Sequence, residues 1–555
     1  MGWYRSSQAS REGATLPHSR TAQHDIESGA RHDCNDVSLG DSDQDALLRR
    51  IEELGRERPA IFQTTLHEAM FVFCISMSQF LTEYFVSDFT LILPTLIEEL
   101  DIPQAAAIWP ATAFSLVIAS FLLVLGRTAD MFGGRLVFLL GLIWLLAWSI
   151  IAGFSVNALM LDFCRALQGL GAAATLPSGI LLMGSIYRPG PRKNLVFSIY
   201  GTSAVLGFFG GIVLAGVVGQ FLRWGFYFWI GAILSGVTLL NAIWSLPRAN
   251  VADHDSEKVS MDYTGGLLIV AGLILTVFAI TQSAHAPAGW RTPYIPVCFC
   301  LGIVLLFCAA VFEARFASEP LLPKDVLLVP SLTPLLFAVL ILYGCWGIFS
   351  VYGTLYFQNI LNTQPLQIAL WYVPLGVAGL LFSIMEGMIL HLVPGRVLLI
   401  IPGIGSVGPQ LLLALLQVEG WSYWAWIFPA TILSTIGIDL STILLTVFIT
   451  TKLPLAQQGL AGGILNSVLQ LGVALTLGLT DILQSATVDK DGLRQSYKNT
   501  FWFGVGAAAI SLLVMALYGD VPRATSELSL EEREELIRAA EREGYVQCQA
   551  GNVSS

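Results

Sequence analysis

Charged side chains are scarce in this sequence. Of its 555 residues only 12% are charged and 55% are hydrophobic, whereas soluble globular proteins are about 25% charged. The chain therefore lacks the charge that would cover the water-facing surfaces of several soluble domains. It is also too apolar to be a disordered chain, and too long and too poor in cysteine to be a secreted disulfide scaffold. A polytopic membrane protein is the class that remains.

Motifs for nucleotide binding and for enzymatic chemistry are missing as well. No G-x-x-x-x-G-K-[ST] loop is present, which argues against an ATP-driven pump. The eight cysteines lack metal-ligand spacing, and no Ser/His/Asp set indicates a hydrolase. The net charge of −11 gives no attraction for nucleic acid. We therefore expect no enzyme, no cofactor, no metal and no nucleic-acid partner.

The apolar residues fall into runs long enough to cross a bilayer. A hydrocarbon core about 30 Å thick takes roughly 20 helical residues, and an open sheet cannot satisfy its backbone in lipid. The fourteen predicted spans are 68–93, 106–126, 136–155, 158–184, 195–219, 226–246, 264–283, 295–314, 333–357, 367–390, 396–417, 421–449, 458–483 and 501–518. The sequence thus predicts an all-α polytopic membrane protein in a lipid bilayer.

Lysine and arginine in the loops predict the orientation. If the N-terminal tail is cytoplasmic, the inner loops hold eleven of these residues and the outer loops hold five, as the positive-inside rule expects. An even number of spans then places both termini in the cytoplasm. The exception is the last outer loop, 484–500, which has three basic residues; either late loops tolerate them or the predicted final hairpin is wrong.

A polar segment, Gly-Arg-Thr-Ala-Asp-Met-Phe-Gly-Gly-Arg at 126–135, joins predicted spans 2 and 3. Its glycines would let two helix ends approach closely in a short turn. Asp130 would lie near the N-terminal end of a helix, where negative charge is favoured, and pair with a nearby arginine. The alternative is an ordinary cytoplasmic turn.

Predicted span 4 contains two charged residues, Asp162 and Arg165. Because they are three positions apart, they share a helical face. An arginine at mid-membrane costs about 2.5–3.5 kcal/mol, so Arg165 must be paired or face water. The two residues either take part in function or brace the helix bundle.

Both segments resemble signature motifs of the major facilitator superfamily. The first is similar to G-x-L-A-D-R-x-G-R-K and matches it at Gly126, Ala129, Asp130, Gly133 and Arg135. The second, 161–172, matches L-x-x-x-R-x-x-Q-G-x-G-A at every defined position.

The fourteen spans resemble the drug:proton antiporter branch of that family. Residues 436–441 and 458–461 look like fungal aminotriazole-resistance-type transporters. The exporter signature G-P-x-x-G-G of span 5 is degraded, because Leu206 and Gly207 stand where Gly and Pro are expected.

This resemblance implies a major facilitator fold with two six-helix halves and two extra central helices. The implied regions are an N-terminal tail (1–65), an N-terminal bundle (66–246), a linker with two spans (247–332), a C-terminal bundle (333–518) and an acidic C-terminal tail (519–555). It also implies a conformational-switch loop formed by Gly126, Arg127, Asp130, Gly133 and Arg135, and a part for Arg165 in proton coupling.

Acids inside spans are costly in lipid, so each should face a cavity. The candidates for proton coupling are Asp162, Arg165, Asp439 and Glu83, while Asp88 and Glu386 fit structural or vestibule roles. The acid that the family usually has in span 1 would fall at Phe85 in this sequence. Either Glu83 or Asp88 takes its place, or neither residue does. Candidate cavity residues are Phe85, Gln168, Trp346, Trp371 and Tyr372; packing or lipid contact is the alternative for the aromatic ones.

The predicted function is proton-coupled export of small hydrophobic or amphipathic compounds, such as drugs, toxins or secondary metabolites. The two halves would rock around a midplane cavity. Its partners would be protons, a small-molecule substrate and the bilayer, with the protein a monomer in the plasma membrane or, alternatively, the vacuolar membrane. Two other functions stay open: proton-coupled uptake of a nutrient or metal chelate, and a non-transporting sensor with a transporter fold.

Overall fold

The structure of the chain is a computed structural model. It describes residues 58–87, 89–102, 108–187, 191–247, 261–317, 320–321, 328–329, 331–389, 395–452 and 455–518. Most of both predicted tails and the side chain of Glu386 lie outside this description, as does Asp88.

All regular structure in the described part is helical. The helices are α1 (Thr65–Ser87), α2 (Phe89–Glu99), α3 (Trp109–Phe132), α4 (Gly134–Ala152), α5 (Ala158–Ile186), α6 (Pro191–Phe221), α7 (Gly225–Ser245), α8 (Tyr263–Ser283), α9 (Tyr294–Arg315), α10 (Leu332–Gly347), α11 (Gly353–Asn359), α12 (Pro365–Trp371), α13 (Val373–Ile389), α14 (Gly395–Leu415), α15 (Tyr423–Lys452), α16 (Leu455–Asp491) and α17 (Leu493–Tyr518). A π-helical turn, Ile348–Tyr352, joins α10 to α11, and a short 3₁₀ turn precedes α9.

Within the described residues, fourteen helical stretches are long and apolar enough to cross a membrane. Each one overlaps a predicted span, so the predicted all-α polytopic architecture is confirmed. The stretch from Leu332 to Asn359 includes the π-helical turn. We call the end of the bundle where α1 finishes the distal end; in the predicted orientation it is the outer end.

The final hairpin differs from the prediction. Helix α16 continues to Asp491 and α17 begins at Leu493, so the predicted loop 484–500 is almost entirely helical. Gly492, with φ of 80°, is the single residue between them, in the left-handed conformation that commonly ends helices. The three basic residues of this region therefore lie on helix ends that extend past the apolar run, and no long basic loop exists there.

The helices pack in an order that leaves α8 and α9 outside the two main groups. Helices α3, α4 and α7 pack around α5 and α1, while α10 and α14–α17 pack on one another. Contacts between these groups run along α3 with α16 and along α6 with α12 and α13. Helix α8 lies on the α3–α16 contact, where Leu116, Val277 and Ala474 form one apolar cluster. We call this three-helix contact the seam.

The two groups are also bonded at the distal end. The side-chain amide of Gln220 donates to Gln364 Oε1 at 3.2 Å, and that of Gln358 donates to the Leu91 carbonyl at 3.1 Å. Along the same contact, a Cβ added at Gly216 would lie 2.7 Å from the Ala369 methyl group. The glycine therefore allows α6 and α12 to approach closely.

Candidate functional site

Arg165 is fully buried in α5 and is held mainly by backbone oxygens. Its Nε donates to the Pro110 carbonyl at 3.2 Å, and one terminal nitrogen donates to the Phe85 carbonyl at 2.6 Å. The Phe114 ring lies 4.5 Å below the guanidinium. The arginine therefore joins α5 to α1 and α3, and its planar fork of donors suits several acceptors at once.

The position of Phe85 explains why its carbonyl can accept this bond. Helix α1 ends at Ser87, and the last four carbonyls of a helix have no intrahelical donor. A second link extends the network to α4, since Arg165 donates to Gln168 Oε1 at 3.2 Å. Gln168 in turn donates to Ser149 Oγ at 2.9 Å. Four helices are thus tied together through two side chains of the predicted motif.

Asp162 contributes none of these bonds. Its Oδ1 is buried and has no hydrogen-bond partner among the described residues, although the carboxylate interacts electrostatically with Arg165. A buried polar atom without a partner is uncommon and requires an explanation. Asp162 and Arg165 therefore share a region of α5 without forming a close pair.

The two glycines of the same motif face different helices. A Cβ added at Gly169 would lie 2.6 Å from the Phe114 carbonyl oxygen on α3. One added at Gly171 would lie 2.9 Å from both the backbone nitrogen and the Cβ of Leu145 on α4. Side chains do not tolerate such distances, so the Gly-x-Gly spacing lets α5 approach two helices at close range.

The segment predicted to be a switch loop is mostly helix. Helix α3 continues through Phe132, and Gly133, with φ of 91°, is the one residue between it and α4. Asp130 therefore lies in the last turn of α3 and not in the first turn of the next helix, which corrects the prediction. It interacts electrostatically with Arg127, one turn earlier, so pairing with a nearby arginine is retained.

Other members of this segment contact neighbouring helices. A Cβ added at Gly126 would lie 3.3 Å from the Pro177 side chain of α5. Arg135 donates to the Ile243 carbonyl of α7 at 3.5 Å. The tight connection thus places α3, α4, α5 and α7 side by side at the end opposite the distal one.

Glu83 and Asp439 come from opposite groups of helices and interact with the same tyrosine. Glu83 lies on α1, Asp439 lies on α15, and both carboxylates interact electrostatically with Tyr343 of α10. Glu83 also interacts with Tyr200 of α6. These four residues are partly exposed and belong to helices of both groups, so they line an internal space between the groups.

The surroundings of these two carboxylates are sparse in hydrogen bonds. Gln79 donates to Glu83 at 3.5 Å, while Asp439 Oδ2 has no partner among the described residues. The Tyr343 hydroxyl pairs with Thr442 Oγ1 at 2.6 Å. A Cβ added at Gly379 would lie 3.1 Å from Asp439 Oδ2 and 2.7 Å from Val205 of α6. Asp439 therefore lies beside the contact between α6 and α13.

The five predicted cavity residues separate into different environments. Trp346 packs on Phe208 with ring centroids 4.7 Å apart, which joins α10 to α6 across the internal space. Phe85 and Gln168 are fully buried around Arg165. Trp371 and Tyr372 are buried near the distal end. Only Trp346 is therefore positioned near the two carboxylates.

Trp371 and Tyr372 have packing partners of their own. Trp371 stacks with Tyr423 at a centroid distance of 5.7 Å, and the Tyr372 hydroxyl pairs with Thr354 at 2.9 Å. These contacts favour the packing alternative for both residues.

Sequence reasoning missed Tyr200, Tyr343, His285 and Asp481. The two tyrosines lie in apolar runs, where an aromatic residue carries no special signal. Asp481 is different, since it falls inside predicted span 13 and an acid there is itself a signal. His285 follows α8 in a short connection, and only the fold shows that it meets Asp481.

Comparison with known proteins places the chain among membrane transporters. The family model described as Major Facilitator Superfamily matches residues 70–477. The chain is 31% identical to a low affinity ammonium transporter of Saccharomyces cerevisiae, over 77% of this chain and 84% of that protein. It is 28% identical to efflux pump terJ of Aspergillus terreus, over 88% and 96% respectively. It is also 28% identical to the aminotriazole resistance protein of S. cerevisiae, over 83% and 86%.

A solved structure shares the fold. An auto inhibited POT family peptide transporter has a TM-score of 0.61 and 16% identity, covering 83% of this chain and 98% of that one. The resemblance stated on the two sequence motifs is confirmed by the family match and by the fungal relatives. The chain therefore belongs to the major facilitator superfamily of membrane transporters.

Proposed function

We propose that this protein is a secondary transporter that exports small amphipathic compounds in exchange for protons. The efflux-pump names of two fungal relatives support export, and the aminotriazole resistance protein supports a drug-like or metabolite-like substrate. In this proposal both termini are cytoplasmic, and the protein acts as a monomer in the plasma membrane.

One observation carries the proposal: Glu83 and Asp439 come from opposite groups of helices and face the same tyrosine, Tyr343. A carboxylate with few partners binds either a proton or a cation, and the two compete for it. Since the acids belong to different groups, binding at one of them changes the balance of charge across the internal space. This gives a proton or a substrate different affinities for two arrangements of the halves, which is what alternating access requires.

The lining favours protonated amines among amphipathic substrates. Trp346 and Phe208 present aromatic faces across the same space, and aromatic faces attract cations. Arg165, by contrast, is engaged by backbone oxygens outside this lining. An aromatic wall with two carboxylates therefore suits a molecule with a cationic end and an apolar body.

Arg165 has a positioning role in this scheme. Its hydrogen bonds hold the end of α1 against α3 and α5. They therefore position the helix that carries Glu83. Asp162, buried beside it without a hydrogen-bond partner among the described residues, is a further proton acceptor in the proposal. The proposed conformational switch is the tight α3–α4 connection, with Arg127, Asp130 and Arg135.

The test measures proton-coupled efflux directly. Cells that produce the protein are loaded with radiolabelled aminotriazole, and retention is followed at external pH 5 and pH 8. We expect lower retention in producing cells at pH 5, and loss of that difference in Asp439→Asn and Glu83→Gln. The matched control is Glu419→Gln, an exposed carboxylate outside the spans. Retention that rises with the protein present would contradict export.

A second candidate, uptake, is favoured by one comparison. The relative at 31% identity is named a low affinity ammonium transporter, and the two carboxylates suit a small cation equally well. The same assay with labelled methylammonium separates the two functions, because uptake raises accumulation when the protein is present and export lowers it.

A further inference from the structure

Helix α8, one of the two helices outside the main groups, makes polar contacts with both of them. Trp109 Nε1, at the start of α3, donates to Gln282 Oε1 of α8 at 3.0 Å. His285, two residues past Ser283 at the end of α8, places its Nε2 2.8 Å from Asp481 Oδ2 of α16. The distal end of α8 is thus held to α3 on one side of the seam and to α16 on the other.

The His285–Asp481 contact is buried. The two side chains keep only 6% and 5% of their surface, and α16 approaches closely because Gly478 faces Thr281. A single charge left alone in such a place is costly, so a buried acid and base are stable when they hold a charge pair between them. An imidazole is also the side chain that changes charge between pH 5 and 8.

Among the described residues, the other titratable groups near the pair are phenols and a thiol. Tyr352 of the π-helical turn faces Asp481, and Tyr497 of α17 lies next to Tyr352. Cys298 of α9 packs beside Ala286, next to the histidine in the chain. Phenols and thiols ionise above pH 8 in their ordinary range, and the contacts from α3 and α8 come from Trp109, Gln282 and Thr281, which do not titrate. The histidine and the aspartate are therefore the only acid–base pair among the described groups at this contact.

We propose that His285 and Asp481 form a second proton-binding site, separate from the Glu83–Asp439 space, that closes the distal end of the seam when it is protonated. This inference rests on the proposed function in one respect only, that the distal end opens and closes during transport. With the proton bound, the imidazolium and the carboxylate attract each other and hold α8 to α16. When the proton leaves, a neutral imidazole faces a buried carboxylate, and separation lets water solvate that charge.

Such a site would make α8 the helix that links the two groups at the distal end. Opening the distal end moves the start of α3 away from the later part of α16, and α8 is bonded to both. The proton-dependent bond is the one to α16, whereas the Trp109–Gln282 bond has no titratable member. Helix α8 is therefore expected to stay with α3 and to release α16 as pH rises.

The experiment measures distal opening without substrate. Spin labels are placed at Leu222 and Gln417, exposed residues at the distal ends of the two groups. Every native cysteine that the structure does not show as buried is replaced by serine: Cys34, Cys298, Cys300, Cys308 and Cys548. Distance distributions of the full chain in nanodiscs are recorded from pH 5 to 8. We expect a longer distance to grow in as pH rises, and we expect His285→Gln and Asp481→Asn to remove this titration. Trp109→Phe, which breaks only the other bond, should keep it.

A second variant distinguishes loss of the acid–base pair from loss of folding. The exchange His285→Asp with Asp481→His restores an acid–base pair, so it should restore the titration if either single change merely destabilised the protein. The proposal is overturned if the single variants titrate like the parent, or if Trp109→Phe abolishes the effect equally. Because no substrate is present, a failure of proton-coupled export leaves this result intact, and the same measurement in Glu83→Gln separates the two sites.

Discussion

Two charged regions of the bundle differ in how their charges are satisfied. Around Arg165 the charge is completely buried and is bound by two backbone carbonyls and a glutamine. Around Tyr343 two carboxylates from different groups of helices have one long hydrogen bond between them, from Gln79, in the part of the chain that the structure describes. A charged side chain that makes several hydrogen bonds to neighbouring helices holds those helices in place, whereas one with few hydrogen bonds is available to a proton or a ligand.

We expect the largest effect on stability and flux from removal of the Arg165 guanidinium. Arg165→Ala leaves the Phe85 and Pro110 carbonyls without their donor, and breaking a buried charged network costs about 3–5 kcal/mol. We expect flux at the background level and a clear drop in thermal unfolding temperature in detergent. Arg165→Lys should recover only part of the stability, because an ammonium keeps the charge but lacks the planar fork of donors. Normal flux in Arg165→Ala would rule out the positioning role.

The second region should respond in the opposite way. Asp439→Asn keeps the size of the side chain and removes a charge whose Oδ2 is buried and has no partner among the described residues, so the unfolding temperature should stay within about 2 °C of the parent, since the exchange breaks no hydrogen bond of that oxygen. Proton-driven flux should fall at least about tenfold, the change that corresponds to about 1.4 kcal/mol. A large loss of stability with unchanged pH dependence of flux would show that Asp439 braces the bundle.

Two glycines of α5 differ in how closely a neighbouring helix approaches them. Gly169→Ala would bring a Cβ to 2.6 Å from a backbone oxygen, whereas Gly184 has nothing within 4 Å of an added Cβ. We expect Gly169→Ala to cost about 1–3 kcal/mol through overpacking, and Gly184→Ala to be neutral or slightly stabilising. Thermal unfolding of both variants checks this, and equal effects would contradict the close approach of α3 and α5.

The smallest effect is expected at a second fixed charge. Glu68 accepts from the Tyr187 hydroxyl at 3.1 Å and from Arg192, at the end of the bundle opposite the distal one. Tyr187→Phe removes one hydrogen bond, which is worth about 1 kcal/mol, and should leave flux unchanged.

That contribution should not depend on pH in the ordinary range. Burial, with the nearby Glu68 carboxylate, raises the pKa of the Tyr187 phenol well above its usual value of 10. A raised pKa means stability that is fully present below the unfolded pKa, about 10, and is lost only above it. The difference in unfolding temperature between parent and Tyr187→Phe should therefore be constant from pH 5 to 8; a difference that vanishes within this range would contradict the assignment.

Some of the site could be read from the chain and some could not. Arg165 stood out because a charge within an apolar run has few explanations, and it is paired with carbonyl and side-chain oxygens, as one of the two predicted alternatives requires. Its partners did not stand out, since Phe85 and Pro110 bind through backbone oxygens that every residue has. Nor did the sequence separate Trp346, which lies on the internal space, from Trp371, which packs near the distal end, because both are aromatic residues in apolar runs.

The fourteen spans follow from the chain alone, because the length and apolarity of a crossing helix are local properties set by the thickness of the bilayer. The family follows from it too, because its motifs keep glycines and charges at fixed spacing. Which distant groups share one site depends on how the helices pack. Glu83 with Asp439 and His285 with Asp481 are each separated by more than 190 positions in the chain, and no periodicity within one helix reports the neighbour that packing brings to its side.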